Sequence, residues 1–280
     1  MDKKTVATRW NIRRDIVCFL LALFCAFMII PVLWMIATSL RSPLDSFSLP
    51  PHIIPTTFDI TNYRTVFQKV DMFAFLKNSV IYSVSATALQ LMTSSMAAFA
   101  FARLQFWGKN FIFFAFLAAL MIPGQVLSIP RFIIISRIGW INSLLALIVP
   151  SMFSALAIFL IRQFMATIPK SYDEAAYIDG ATRLQCYRRI VLPMTKPVLM
   201  VMAMQTFVGT WNDFYGPLIY INAVSKMTLP LGLVQLNGVM GTGNQAAIIA
   251  GVVLTFIPPL FMYIFGQRYL IEGISIGGIK

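Results

Sequence analysis

The stretch IVCFLLALFCAFMIIPVLWMIAT, Ile16 to Thr38, carries no charged residue. A helix needs about 20 apolar residues to cross a hydrocarbon core, and this run is long enough. It is too long for the h-region of a signal peptide, about 7–15 residues, although Ala37-Thr38-Ser39 imitates a cleavage site. The rest of the chain repeats the pattern. Further runs cover Ser79–Ala102, Phe111–Ile129, Ile141–Ile161, Val198–Tyr220 and Ala246–Phe265. Pro123-Gly124-Gln125 lies near the end of the third run, and Trp211-Asn212-Asp213 interrupts the fifth. The runs are apolar on all sides, which fits helices and not the alternating strands of a membrane barrel. The expected fold is an all-α membrane protein with six transmembrane helices, an N-terminal helix plus a five-helix core.

Composition agrees. Of 280 residues, 59% are hydrophobic and only 11% charged, against about a quarter charged in soluble domains. That much apolar surface excludes a soluble enzyme, a disordered chain and a disulfide scaffold. The net charge of +12 suggests nucleic acid at first sight, but its placement between apolar runs speaks for membrane topology and no nucleic acid partner. Fifteen of the basic residues fall on one side: Lys3, Lys4, Arg9, Arg13 and Arg14, Arg103 and Lys109, six in the fourth connection, and Arg268 and Lys280. Seven fall on the other: Arg41, Arg64, Lys69, Lys77, Arg131, Arg137 and Lys226. The positive-inside rule puts both termini and the fourth connection in the cytoplasm.

Cysteine and histidine add little. Cys18 and Cys25 lie inside the first helix and Cys186 in the fourth connection, with no CxxC pair. The single histidine, His52, stands in a Pro-rich outer stretch, Pro50 to Pro55. No metal site and no catalytic group is expected. The outer connection reads as an irregular segment over Leu44–Thr61 and a short interfacial helix over Thr65–Phe75, with Phe67, Val70 and Phe73 as its apolar side. Residues 1–72 then hold the cytoplasmic N-terminus, first helix and outer segment; 73–268 form the transmembrane core; 269–280 form a cytoplasmic tail.

The fourth connection, KSYDEAAYIDGATRLQCYRRIVLP (Lys170 to Pro193), has unusual local order. Ser171 with Glu174, and Thr182 with Gln185, are capping boxes that start helices. Asp173 and Glu174 suit the positive end of the first helix dipole. Gly180 supplies the left-handed geometry that ends it. Pro193 and Pro197 delay the next helix. The pattern predicts two short helices projecting together, with Ala175, Ala176 and Ile178 on one apolar face and Leu184, Tyr187 and Ile190 on the other. These faces either pack against their own chain or dock a second protein.

Glu174-Ala175-Ala176, Asp179-Gly180-Ala181 and Ile190-Val191-Leu192-Pro193 resemble the EAA loop of ABC importer permeases. The resemblance extends through Pro31–Met35, Thr38–Arg41, Thr61-Asn62-Tyr63, Trp211–Phe214 with Pro217-Leu218, Thr228–Leu233 and the tail Gly273–Lys280. It is greatest to the maltose-type second permease subunit of the carbohydrate-uptake group, with the MetI-like transmembrane fold. Two departures lie in the tail: Glu272 replaces a basic or polar residue, and no glycine follows Lys280. The resemblance implies a sugar permease of the bacterial inner membrane, with Glu174, Ala175, Ala176, Asp179, Gly180, Ala181, Ile190, Leu192 and Pro193 coupling it to an ATP-binding cassette dimer. It also implies a different second permease subunit and an extracytoplasmic solute-binding protein. The chain has no phosphate loop, since no lysine follows Gly241-Thr242-Gly243; ATP and Mg belong to the ATPase, and this chain binds no cofactor.

Polar residues within apolar runs face a cavity or a partner. Trp211, Asn212 and Asp213 combine an aromatic face with hydrogen-bonding groups, which suits a sugar; Asp213 equally suits a bond to the broken backbone before Gly216-Pro217. Gln90 and Gln125 are further candidates for the solute path. Ser79, Ser83, Ala86, Thr87 and Ala97 suit close helix packing, and Met194, Met200, Met202 and Met204 suit lipid or core. A transporter for a non-sugar solute shares every coupling feature. A membrane-embedded enzyme needs an acid, His or Ser cluster that this sequence lacks.

Overall fold

The computed structural model describes residues 3–42, 58–237 and 244–277. Among them all regular structure is helical, with no strand. Four helical stretches are long and apolar enough to cross a membrane: residues 14–39, 72–103, 145–167 and 245–268. Two further helical pieces, 183–194 and 196–211, pass the same test only when taken together, and they are bent by 77° at the break between them. The chain divides into two compact units, residues 1–70 with 235–254, and residues 71–234 with 255–280.

The first unit holds α1 (Lys3–Ser39), α2 (Thr61–Lys69) and most of α14 (Gln245–Thr255). The α1 side chains from residue 14 to residue 33 are almost all exposed, as a membrane-facing helix requires. Only its end is buried, at Ala37, Thr38, Ser39 and the following Arg41. Asn62 ties that end down. Its amide donates to the carbonyls of Ser39 (3.0 Å) and Arg41 (2.6 Å), and its carbonyl accepts from Asn244 (3.1 Å). The Asn244 carbonyl oxygen in turn accepts from the amide of Ala247 at the start of α14.

The expected interfacial helix at 65–75 starts earlier and ends sooner. Asp59 accepts from the Thr61 amide and hydroxyl and starts α2. Asp71 accepts from the Ala74 amide and starts α3 (Met72–Arg103). Phe73 therefore belongs to α3 and is exposed, as is Phe67, while Val66 and Val70 are buried.

The second unit is built on α3, which packs against α7 (Ala155–Thr167) and α11 (Lys196–Trp211). The small residues Ser79, Ser83, Ala86 and Thr87 are buried, as expected for close packing, and Ala97 is half-buried. Ser79 Oγ accepts from the Leu229 amide at 2.7 Å, at the head of α13 (Leu229–Leu233). There Gly232 lies so close to Phe75 that a Cβ would enter the ring. Met202 is buried, and Met204 packs on Gly266 of α15 (Ile257–Gly277). The methionines at these two positions fill core.

Two runs expected to be continuous are broken. The third gives α4 (Lys109–Ala119), a series of turns, and α5 (Ser128–Arg137). Pro123 lacks an amide hydrogen and restricts Ile122 before it, and the turns continue through Val126→Pro123 and Leu127→Gly124 bonds. The fourth gives α6 (Leu145–Ser151) and α7, with Pro150 inside α6 and Ser154 capping Ala157 at the new start. Thr93 of α3 donates to the Met152 carbonyl at this break, 2.6 Å. The fifth run breaks where expected, between α11 and α12 (Tyr215–Tyr220).

Pro50–Pro55 with His52, most of Leu44–Thr61, Gly241–Gly243 and residues 278–280 lie outside the described residues. The side chains of the tail from 269 onward do too, Glu272 included.

Candidate coupling loop and solute site

The fourth connection forms α8 (Ser171–Ile178), a turn at Gly180, α9 (Arg183–Cys186), a π-helical turn over Tyr187–Val191 and α10 (Leu192–Met194). Gly180 has φ +79°, the left-handed geometry expected of it. The Thr182–Gln185 capping box is complete in both directions, at 3.3 and 2.7 Å. The Ser171 box does not form. Lys170 is already in helical geometry, and its carbonyl accepts from the Asp173 and Glu174 amides. Ser171 is therefore inside the helix, where its hydroxyl cannot cap.

The first acid of the first turn, Asp173, has another use. Asp173 Oδ2 lies 2.8 Å from Arg103 Nε, and their side chains are only 8% and 4% exposed. Arg103 Nη2 also donates to the Ile168 carbonyl (2.8 Å), and the Cys186 thiol donates to Asp173 Oδ1 (3.6 Å). One level away, the Tyr187 and Ser95 hydroxyls are 2.8 Å apart, and the Tyr187 ring packs on Phe99 at 5.2 Å. Ala98, Ile161, Met165, Ala176 and Val191 complete the buried cluster. The loop is thus bolted to the end of α3 at two polar points inside an apolar core. A π-turn widens the helix at the residue that makes the second bolt; such turns concentrate at functional sites.

The expected coupling residues separate into two sets. Glu174, Ala175, Asp179 and Gly180 are exposed, together with Tyr177, Leu184 and Ile178, the last 86% exposed. Ala176 is buried, Ala181, Ile190 and Leu192 are half-buried, and Pro193 is exposed. So the loop both packs on its own chain and presents a separate apolar and acidic edge. Burial, then the Asp173 carboxylate, pushes the Cys186 thiol above its ordinary range, and burial raises the Tyr177 phenol. Cys186 in the folded protein should react with N-ethylmaleimide at pH 7 at least about tenfold more slowly than in denaturant, because the thiolate is the reactive form. Quantitative mass spectrometry of labelled Cys186 checks this, and equal rates would contradict the buried node.

The expected solute residues do not gather in one place. Trp211 is buried; its Nε1 donates to the Thr255 carbonyl (3.0 Å) and its ring stacks on Phe207. Gln90 is buried on α3, and Asn212 is exposed in the break after α11. Only Gln125 and Asp213 meet, in a cavity of about 170 Å³ also lined by Gly124, Ser128, Arg131, Tyr215, Gly216, Ile219 and Tyr220. Asp213 Oδ1 accepts from the Gly216 amide (3.0 Å), the structural bond expected across the break, and Oδ2 accepts from the Tyr82 hydroxyl (3.0 Å). In the sequence Arg131 reads only as a charge of the outer side; the Pro123-Gly124 break just before it is the available signal.

An all-helical membrane protein with a bolted two-helix loop and a polar cavity between helix breaks has the parts of a transport component. The family model for binding-protein-dependent transport system inner membrane components matches residues 90–271, and the chain belongs to this family. The arabinooligosaccharides transport system permease protein AraQ of Halalkalibacterium halodurans is 34% identical over 92% of this chain and 93% of its own length. The diacetylchitobiose uptake system permease protein DasC of Streptomyces coelicolor is 32% identical over 90% and 92%. A solved bacterial ABC transporter involved in import of the acidic polysaccharide alginate contains a chain with the same fold, TM-score 0.82 and 20% identity, covering 93% of this chain and 97% of that one.

Proposed function

We propose that this chain is one of two permease subunits of an ATP-driven importer that carries a sugar or sugar derivative from a solute-binding protein into the cytoplasm. The observation that carries the reading is the fourth connection: a glycine-jointed pair of helices fixed to α3, with an edge left over for a partner. Family membership and the sugar permeases among its relatives supply the solute class.

In this reading the chain crosses the bacterial inner membrane six times, counting α4–α5 and α11–α12 as broken spans, with both termini cytoplasmic. Residues 1–72 provide the first helix and outer segment, 73–268 the core and 269–280 the tail. Glu174, Ala175, Asp179 and Gly180 face the ATPase dimer, which holds the ATP and Mg; Ala176, Ala181, Ile190, Leu192 and Pro193 shape and seat the loop. Closure of the ATPase moves the loop, and the bolts transmit the movement to α3. A second, different permease subunit completes the path. Gln125 and Asp213 face the solute in the cavity, and Trp211, Asn212 and Gln90 are further candidates for the path outside it.

Purification of the tagged chain in mild detergent, with mass spectrometry of what accompanies it, tests the assembly. A second permease and an ATPase should be recovered; a chain that is stable alone under every gentle condition would sink the reading. Changing Gly180 to Val, or Glu174 to Lys, should reduce uptake at least about tenfold while the chain still inserts. At Gly180 no neighbour obstructs a side chain, so the loss comes from left-handed backbone strain, about 1–2 kcal/mol. Gly180→Asn, which tolerates that geometry, should retain most uptake. Sugar uptake into membrane vesicles is the measurement.

A further inference from the structure

We propose that the cavity between the two helix breaks is a subsite for one sugar ring, in which Arg131 donates to one hydroxyl and Asp213 accepts from its neighbour. This rests on the sugar-importer reading above and deepens it.

Two broken helices meet here. Gly124 and Gln125 come from the break between α4 and α5, Asp213 from the break between α11 and α12, and all three line the same cavity. Paired discontinuous helices are the membrane fold's way of placing polar groups where a solute passes. The cavity measures about 170 Å³. Pockets for drug-sized ligands measure about 300–1,000 Å³, so this smaller space suits a single ring, and its open side leaves room for the rest of a longer sugar.

The charges decide the ligand chemistry. Arg131 and Asp213 line one small cavity and yet do not form an ion pair. Asp213 is held back, one oxygen on the Gly216 amide and the other on the Tyr82 hydroxyl. Arg131 is exposed, and no hydrogen bond to a described residue fixes its guanidinium. The two charges thus line one open cavity, Asp213 half-buried and Arg131 exposed, and neither is spent on the other. An anionic ligand satisfies Arg131 but meets the Asp213 carboxylate. A pair of adjacent hydroxyls satisfies both, because each hydroxyl both donates and accepts. Tyr215 donates to Ser128 Oγ at 3.3 Å, which leaves the Ser128 hydrogen for the ligand. Gln125 adds an amide.

The test uses the whole importer in proteoliposomes, with its ATPase, second permease and solute-binding protein, and labelled arabinotriose, diacetylchitobiose and maltose as probes. The quantity read is sugar taken up per ATP hydrolysed. Arg131→Gln should lower it at least about tenfold, the equivalent of one lost hydrogen bond to a charged group. Arg131→Lys should restore part of it. Arg137→Gln, at the other end of α5, serves as control and should match the wild type. An unchanged ratio in Arg131→Gln overturns the subsite. So does a joint collapse of uptake and ATP hydrolysis, which marks a folding or coupling defect. A wild-type importer that hydrolyses ATP and transports none of the three sugars instead overturns the sugar reading, and the subsite with it.

Discussion

Arg103→Met and Asp173→Leu should each destabilise the chain by about 3–5 kcal/mol, because each leaves the other charge buried without its partner. The pair is nearly inaccessible, so the opposite charge cannot recover its hydration. The double substitution should recover most of the loss, since an apolar pair of similar volume suits the surrounding cluster of Ala98, Ile161, Met165 and Ala176. Midpoints of thermal unfolding for the purified complex provide the check; a double variant no better than the worse single one contradicts a direct pair. Function should separate from stability. The double variant keeps the apolar packing but loses the charged bolt, leaving Tyr187 to Ser95 as the remaining polar link. If the bolts carry movement to α3, the double variant should hydrolyse ATP and import less sugar per ATP.

This node shows what local sequence patterns conceal. The apolar runs were legible because membrane thickness sets a length that any span must meet. The Thr182–Gln185 box and the Gly180 turn were legible because both partners lie within one turn. The ion pair joins the end of α3 to the start of α8, and neither residue signals the other. Arg103 reads as one more positive-inside charge, and Asp173 as a favourable dipole acid. Ser171 misled for a related reason: a capping pattern states which bonds are possible, while the preceding Pro169-Lys170 turn decided where the helix began. The breaks in the third and fourth runs were half visible. Pro123 and Pro150 stand in the sequence, but whether a proline bends a span or ends it depends on what accepts the freed backbone groups. Thr93 does so at Met152. The solute candidates fared likewise. Trp211, Asn212 and Asp213 are consecutive and so point in different directions around the helix end; one is core, one is exposed and one meets the cavity.

Asp213→Ala should cost about 3–6 kcal/mol, from two hydrogen bonds to a charged acceptor lost together, each worth about 1.5–3 kcal/mol. The Gly216 amide loses its cap at the start of α12, and Tyr82, buried in α3, loses its acceptor. Tyr82 can turn to Ser151 Oγ, 3.3 Å away, so the lower half of that range is expected. Asp213→Asn separates the two uses of the residue. Its amide oxygen can still accept from Gly216, so the break between α11 and α12 should survive, and the thermal midpoint should fall by less than half as much as in Asp213→Ala. The charge opposite Arg131 is lost all the same. Gly216→Ala approaches the same point from the other side, since its Cβ would sit 2.6 Å from Asp213 Oδ2. The carboxylate must then swing out of its place while keeping its charge. If Asp213 only caps the helix, Asp213→Asn should transport normally and Gly216→Ala should lose stability alone. If it also holds a sugar hydroxyl, both should lower uptake per ATP, Asp213→Asn with little loss of stability. Measured side by side, thermal midpoint and uptake per ATP give these two readings opposite patterns, and equal loss of both quantities in Asp213→Asn would leave the carboxylate a structural cap.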